Sequence, residues 1–271
     1  MLLVQISDTH LREDGGHPRH DPLQALRRAV RAINAMTPRP DAVLLTGDVL
    51  DRAGCDYGPA LAALAALRVP LLPLPGNHDR GPAFRAAFAG HVDFAAGHQS
   101  FAVDLAGQRV IGLDSCAADG SALIDAARRD WLAARLAEGE GPAVLALHHP
   151  PFATGIPRLD RDPFPGAEAL GALIATAPRP CRLLAGHTHR AIATSWAGVA
   201  ASTAPALGHA LALSLVPGAP HAHVAEPPAF QLHAFRDGNW ITHTLNLGHA
   251  AAAEGFAGPL APEAAARLVD P

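Results

Sequence analysis

The feature that most constrains this chain is the position of five short polar motifs, each at or just beyond the end of a short apolar run. Leu2–Ile6 leads to Asp8-Thr9-His10, Ala42–Thr46 to Gly47-Asp48, and Leu71–Leu74 to Gly76-Asn77-His78-Asp79. Further on, Ala143–Leu147 leads to His148-His149-Pro150-Pro151, and Arg182–Ala185 to Gly186-His187-Thr188-His189. Short apolar runs bounded by turn signals read as buried strands. In open α/β sheets, ligand sites form beyond the carboxyl ends of the strands, so motifs far apart in sequence can converge there.

Helical patterns lie between these runs. Asp21-Pro22 reads as an N-cap followed by proline in the first turn, and Leu23, Leu26, Val30 and Ile33 continue at helical spacing. Further helices are predicted over Pro59–Leu67, Pro82–Phe88, Asp125–Leu136 and Ala167–Thr176. A β-α-β-α-β order implies a parallel sheet covered by helices. Hairpins are predicted at Ser100–Leu105 with Arg109–Leu113, at Ala191–Trp196 with Val199–Ser202, and at Phe230–Phe235 with Trp240–Leu245. The Ala- and Pro-rich tail from Ala250 reads as surface.

With 271 residues, 49% of them apolar, the chain can bury a large core, which excludes a disordered protein. A net charge of −4 and the lack of a basic run argue against a nucleic-acid polymer as partner. The first residues lack the features of a signal peptide, and no apolar run reaches membrane-spanning length. Cys55, Cys116 and Cys181 are odd in number and widely spaced, which fits idle thiols in a reducing cytoplasm better than a disulfide framework.

Sixteen histidines are present. Imidazole and carboxylate together suit zinc, iron, manganese or cobalt, whereas magnesium and calcium prefer oxygen shells. Asp8 and His10, two apart on an extended segment, are expected to point the same way, as are His187 and His189. The glycines before Asp48, Asn77 and His187 are expected to allow tight turns with positive φ and a close approach of backbone. Each motif alone has a bland reading as a solvated loop or turn. Five in series after strands point to a metal centre. Two divalent ions, two carboxylates and a bridging hydroxide would leave a net charge of about +1, suited to a diester of charge −1.

The series Asp8-x-His10, Gly47-Asp48, Gly76-Asn77-His78-Asp79, His148-His149-Pro150-Pro151 and Gly186-His187-Thr188-His189 resembles the calcineurin-like metallophosphoesterases. Within them it looks most like the bacterial class III cyclic-nucleotide phosphodiesterases and their glycerophosphodiesterase relatives. Thr203-Ala204-Pro205 through His209 extends the likeness into the C-terminal part. The resemblance implies an αββα sandwich of two mixed sheets flanked by helices. It implies a catalytic core over 1–202, and a segment over 203–271 that completes the fold, caps the site and takes part in a homodimer or larger assembly. It implies two divalent ions (iron, manganese, cobalt or zinc), one held by Asp8, His10, Asp48 and His189 and the other by Asp48, Asn77, His148 and His187. Asp48 would bridge, and His148 rather than His149 would be the ligand, a choice that spacing alone leaves open. The implied reaction is hydrolysis of a small phosphodiester, a 3′,5′-cyclic nucleotide or a glycerophosphodiester, by a metal-bound hydroxide.

In the same reading Asp48 and Asn77 belong to the catalytic machinery. His78 faces the phosphate, stabilising charge or protonating the leaving alkoxide. Asp79 is expected to orient a neighbouring histidine. His209 matches a rim histidine of relatives and is a candidate substrate contact. His17 and His20 lie in the Leu11–His20 loop and either shape the pocket or sit exposed. His221 and His223 read as surface, and His233, His243 and His249 as structural or exposed. The competing functions are a phosphomonoesterase on the same scaffold and a non-catalytic binding scaffold. The latter is disfavoured because no ligand position is missing.

Overall fold

In the computed structural model, residues 1–12, 21–79, 81–139, 141–179 and 181–248 are described. His17, His20, His249 and the tail from Ala250 lie outside them. The described elements run β1 (Leu2–Ile6), α1 (Pro22–Ala35), β2 (Ala42–Thr46), α2 (Gly58–Leu64), β3 (Leu71–Leu74) and α3 (Gly81–Ala87). The middle of the chain gives β4 (Phe101–Leu105), β5 (Gln108–Gly112), α4 (Ala126–Ala137), β6 (Ala143–Leu147), α5 (Ala167–Ala175) and β7 (Cys181–Ala185). After these come β8 (Ile192–Trp196), β9 (Val199–Thr203), β10 (Ala210–Leu211), β11 (His223–Val224), β12 (Ala229–Arg236) and β13 (Asn239–Asn246).

The strands form two larger sheets. The first has the order β13-β12-β1-β2-β3, with β1, β2 and β3 parallel and β12 antiparallel to β1. The second has the order β4-β5-β6-β7-β9-β8, parallel from β5 through β9 with antiparallel edges. Both sheets are therefore mixed. The parallel sheet expected from the β-α-β-α-β order is the three-strand block β1-β2-β3 that forms one side of the first, with β3 at its edge.

Side-chain alternation builds the layers. Along β2, Ala42 and Leu44 face the other sheet, while Val43 and Leu45 pack on helices. Along β6, Val144 and Ala146 meet the first sheet, while Ala143, Leu145 and Leu147 join Leu132 of α4 and Leu170 of α5. Strands buried on both faces lose the polar alternation of a surface strand, so they read as unbroken apolar runs. The result is the αββα sandwich.

Helix α1 starts as its sequence demands. The Asp21 carboxylate accepts from Gln24 N at 3.0 Å, Pro22 occupies the first turn, and Leu26, Val30 and Ile33 are buried. Asp125, expected inside α4, is its N-cap and accepts from Arg128 N at 2.9 Å.

One polar cluster lies between the sheets. Gln5 Nε2 on β1 donates to Thr46 Oγ1 (3.0 Å) and to the Ala185 carbonyl on β7 (2.9 Å). Its Oε1 accepts from Nε2 of buried His233 at 3.0 Å, and Thr242 Oγ1 lies 2.9 Å from His233 Nδ1. Fully buried amide and imidazole groups need such partners. His233 is thus structural. Burial, together with the nearby Arg182, lowers its pKa to about 3, so it stays neutral.

Candidate metal centre

The five motifs meet at one end of the sandwich. Asp8, His10, Asp48 and Asn77 follow strands of the first sheet, whereas His148, His187 and His189 follow strands of the second. The backbone there is not extended. Asp8 (φ 53°), His10 (48°), Asp48 (51°), His187 (70°) and His189 (55°) all occupy the left-handed region. Aspartate and histidine tolerate that region better than most residues, and each non-glycine there costs roughly 1–3 kcal/mol. The surroundings hold them in place. Asp8 N donates to Gly47 O and His10 N to Asp48 O, both at 3.0 Å, while Asp8 O accepts from Gly208 N at 2.9 Å.

The glycines act in two ways. Gly47 does take a positive φ, 92°. Gly76 and Gly186 do not; there the requirement is space. A Cβ on Gly76 would lie 2.2 Å from Asp48 Oδ1, and one on Gly186 would lie 2.3 Å from Ser7 Oγ.

Two donor sets result. In the first, Asp8, His10, Asp48 and His189 place one donor atom each within 4.8 Å of one another. His10 Nε2 and His189 Nε2 are 3.0 Å apart. His189 Nδ1 donates to the His209 carbonyl at 2.7 Å, so its Nε2 carries the lone pair. Among the described residues, buried His10 Nδ1 has no hydrogen-bond partner, the Asp51 carboxylate lying 3.7 Å away. The second set brings His148, His149 and His187 together within the same 4.8 Å. Asn77 joins them: its Oδ1 is 2.9 Å from both His148 Nε2 and His187 Nδ1. His148 Nδ1 donates to the Thr46 carbonyl at 2.8 Å, turning its Nε2 lone pair inward.

Asp48 stands between the sets. Its Oδ2 is 3.5 Å from His10 Nε2 and 3.4 Å from His148 Nε2, and its Oδ1 accepts from His78 N at 2.8 Å. His149 makes no such contact with Asp48, and its Nδ1 is engaged by Ser115 at 3.1 Å. His187 and His189 do not point the same way, because the turn between them sends one to each set.

The electrostatics suit a cation. Burial resists charge on Asp48, but the facing His148, His10 and His78 hold its pKa well below the usual carboxylate range. Burial likewise works against His148, yet Asp48 lifts it to about 9, so its Nε2 lone pair becomes available only when a bound cation displaces the proton. Burial raises Asp8 and keeps His10 and His187 neutral, His187 at about 3. Converging lone pairs, buried carboxylates and neutral imidazoles make a donor set suited to a divalent transition-metal ion.

Asp79 differs from its expected role of orienting a histidine. It accepts from Gly76 N (2.9 Å), Val49 N (3.2 Å) and Tyr57 Oη (2.8 Å). It therefore ties the Asp48 loop to the Asn77 loop. A carboxylate with several backbone donors around it is a loop anchor, and sequence spacing carries no signal for it.

A cavity of about 490 Å³ lies over the donors, bordered by His78, Arg158, His209, His221 and His223. His78 packs edge-on to His10, with ring centroids 4.8 Å apart, and its Nδ1 binds the Asp51 carbonyl. His209 lies 4.5 Å from His189 and 5.6 Å from His223, ring to ring. His221 and His223 are exposed as expected, but they stand at the mouth of this cavity. The short β10–β11 hairpin brings them there, through a pairing the sequence does not announce.

The chain matches the family model of calcineurin-like phosphoesterases over residues 1–191. It is 32% identical to a probable glycerophosphodiester phosphodiesterase GpdQ of Arcobacter nitrofigilis, covering 92% of this chain and 94% of that one. It is also 32% identical to a probable cyclic nucleotide phosphodiesterase of Rhodopseudomonas palustris, covering 85% and 86%. Among solved structures, a dimetal phosphatase from Danio rerio shares the fold with a TM-score of 0.66 at 14% identity, covering 91% and 96%. The strand-end motifs, the two mixed sheets and the family match agree: this chain belongs to the calcineurin-like phosphoesterase family.

Proposed function

We propose that the chain hydrolyses small phosphodiesters, 3′,5′-cyclic nucleotides or glycerophosphodiesters, at a centre of two divalent ions drawn from iron, manganese, cobalt and zinc. The observation that carries this reading is Asp48 Oδ2, set between donors of two different sets at 3.5 and 3.4 Å. Asp8, His10, Asp48 and His189 would hold one ion. Asp48, Asn77, His148 and His187 would hold the other, with Asp48 shared. Ions bound there supply Lewis-acid activation of water and of the phosphoryl group.

The chain's own residues do the rest. Thr46 and His209 carbonyls fix the tautomers of His148 and His189. His78 borders the cavity with its Nδ1 held by the Asp51 carbonyl, so in its imidazolium form Nε2 would donate to a phosphoryl oxygen or to the leaving alkoxide. His209 lines the same rim and is the further substrate contact. The names of the curated relatives support a diester as substrate.

Residues 1–202 form the catalytic core in this reading, and 203–271 complete the fold, cap the site and take part in a homodimer or larger assembly. The β10–β11 hairpin at the cavity mouth supports the capping role, and exposed Leu213, Leu215 and Val216 beside it support self-association. Among the described residues no helix is long and apolar enough to cross a membrane. The free thiols Cys55, Cys116 and Cys181 fit a reducing compartment, the cytoplasm.

Manganese-loaded protein should hydrolyse bis(p-nitrophenyl) phosphate faster than p-nitrophenyl phosphate, with two ions per chain by elemental analysis. Asp48→Ala and Asn77→Ala should each abolish the activity. Full activity in either variant, or a marked preference for the monoester, would overturn the assignment. A purely monomeric sedimentation profile would remove the dimer.

A further inference from the structure

Gln5 is the one polar residue of β1, and it is fully buried. Strand alternation puts it on the face that Leu3 turns toward the other sheet, a layer filled elsewhere by Leu44 and Leu184. An amide placed there gives up its water and must find every partner inside the protein.

Those partners are two strand ends. A carbonyl can only accept, so the amide nitrogen is the end that faces Ala185 O, at 2.9 Å. The second hydrogen on Nε2 goes to Thr46 Oγ1 at 3.0 Å. Thr46 and Ala185 are the last residues of β2 and β7. One glycine further on from each come Asp48 and His187. A single amide nitrogen thus ties together the strand ends from which these donors depart.

There is little slack where the ends meet. A Cβ on Gly186 would lie 2.7 Å from Thr46 O, so the two backbones are already in contact. The Thr46 carbonyl also accepts from His148 Nδ1 at 2.8 Å, and Gly186 N donates to the His148 carbonyl at 2.9 Å. Any slip of β2 against β7 moves Asp48, His148 and His187 relative to one another. Functional constellations tolerate only about 0.5 Å of such error.

Gln5 is itself held. Its Oε1 can only accept, so His233 Nε2 carries the proton, at 3.0 Å, and Nδ1 accepts from Thr242 Oγ1 at 2.9 Å. A flipped amide would set its oxygen against the Ala185 carbonyl, so the orientation is fixed.

We propose that Gln5 is a positioning residue of the metal centre: acting through Thr46 and Ala185, its amide sets the spacing between the Asp48 and His187 loops. The proposal rests on the donor assignment of the diesterase reading.

Cobalt binding to the full chain tests it without substrate. Gln5→Met keeps the volume and removes the amide. It should weaken cobalt binding about tenfold or more, as loss of a group behind the ligands does, and shift the cobalt d–d bands. Ala185 O keeps Ala204 N and Thr46 Oγ1 keeps the Ile6 carbonyl, so His233 Nε2 is the group left short and the urea midpoint should fall. In Gln5→Met/His233→Leu both partners are gone. The midpoint should then recover toward wild type while the weak binding and shifted bands remain. A group that merely stabilised the core would let both recover together. From the other end, Thr46→Val should also weaken cobalt binding, Thr46→Ser should restore it, and Thr46→Val added to Gln5→Met should cost little more.

Wild-type affinity in Gln5→Met, recovery of affinity along with stability, or additive losses with Thr46→Val would overturn the positioning role and leave the diesterase standing. If Gln5→Met does not fold, wild-type affinity in Thr46→Val overturns it alone. Wild type that binds cobalt but cleaves no diester would remove the diesterase reading and leave Gln5 its role. Wild type that binds no cobalt would remove both.

Discussion

Gly76 and Asp48 touch so closely that a single methyl group cannot be placed between them: the Cβ would lie 2.2 Å from Asp48 Oδ1 and 2.3 Å from Asp48 N. Gly76→Ala must therefore move the Asp48 carboxylate. The expected result is a fall of about 100-fold or more in diester hydrolysis and loss of bound metal by elemental analysis, with the circular dichroism spectrum retained. Gly54→Ala is the control. That glycine has φ 92° and open space around it, so the cost is about 1 kcal/mol of stability with activity kept.

Tyr57 reaches Asp79 from the start of α2, and Asp79 in turn holds the Asp48 and Asn77 loops together. Tyr57→Phe leaves the buried carboxylate one donor short. Urea unfolding should show a loss of about 1–3 kcal/mol. Metal affinity should fall as well, since both loops carry donors. Unchanged affinity would mean that the loops hold their positions without the hydroxyl.

His233 gives a pH dependence with a definite sign. Its folded pKa is near 3, below the ordinary 6.5, so the unfolded chain binds the proton more readily. Its contribution is complete above pH 6.5 and is lost as pH falls from there toward 3. The slope is about 1.4 kcal/mol per pH unit. Between pH 7 and pH 5 the wild type should lose about 2 kcal/mol more than His233→Gln in urea titrations. Parallel pH profiles would show that His233 does not stay neutral in the fold.

His221 and His223 border the cavity without belonging to either donor set. Replacing both with alanine should raise KM for a diester several-fold while kcat stays within about threefold, the pattern of lost ground-state binding. A fall in kcat with KM unchanged would place them in the reaction itself.

Much of this was legible in the sequence because strand-end motifs obey local rules. The buried strands showed as apolar runs, and Asp21-Pro22 marked the start of α1. The donors carried their chemistry openly. What escaped was set by tertiary contact. The left-handed backbone at Asp8 and His189 depends on neighbouring loops. The role of Asp79 depends on Tyr57, which is 22 residues away in sequence. His221 and His223 reach the mouth through a two-residue strand pairing too short to leave a periodic trace. The antiparallel attachment of β12 to β1 joins the two ends of the described chain, which no local pattern encodes.

Each donor set draws members from both sheets: His189 crosses to meet Asp8, His10 and Asp48, and Asn77 crosses to meet His148 and His187. Neither sheet alone owns a complete set. Affinity for an ion therefore exists only once the two sheets have docked, and an ion held there acts as a clasp across the seam between the two halves of the sandwich. Its binding energy is added to the cohesion of the whole molecule, so chelation should weaken the fold itself as well as stop the reaction.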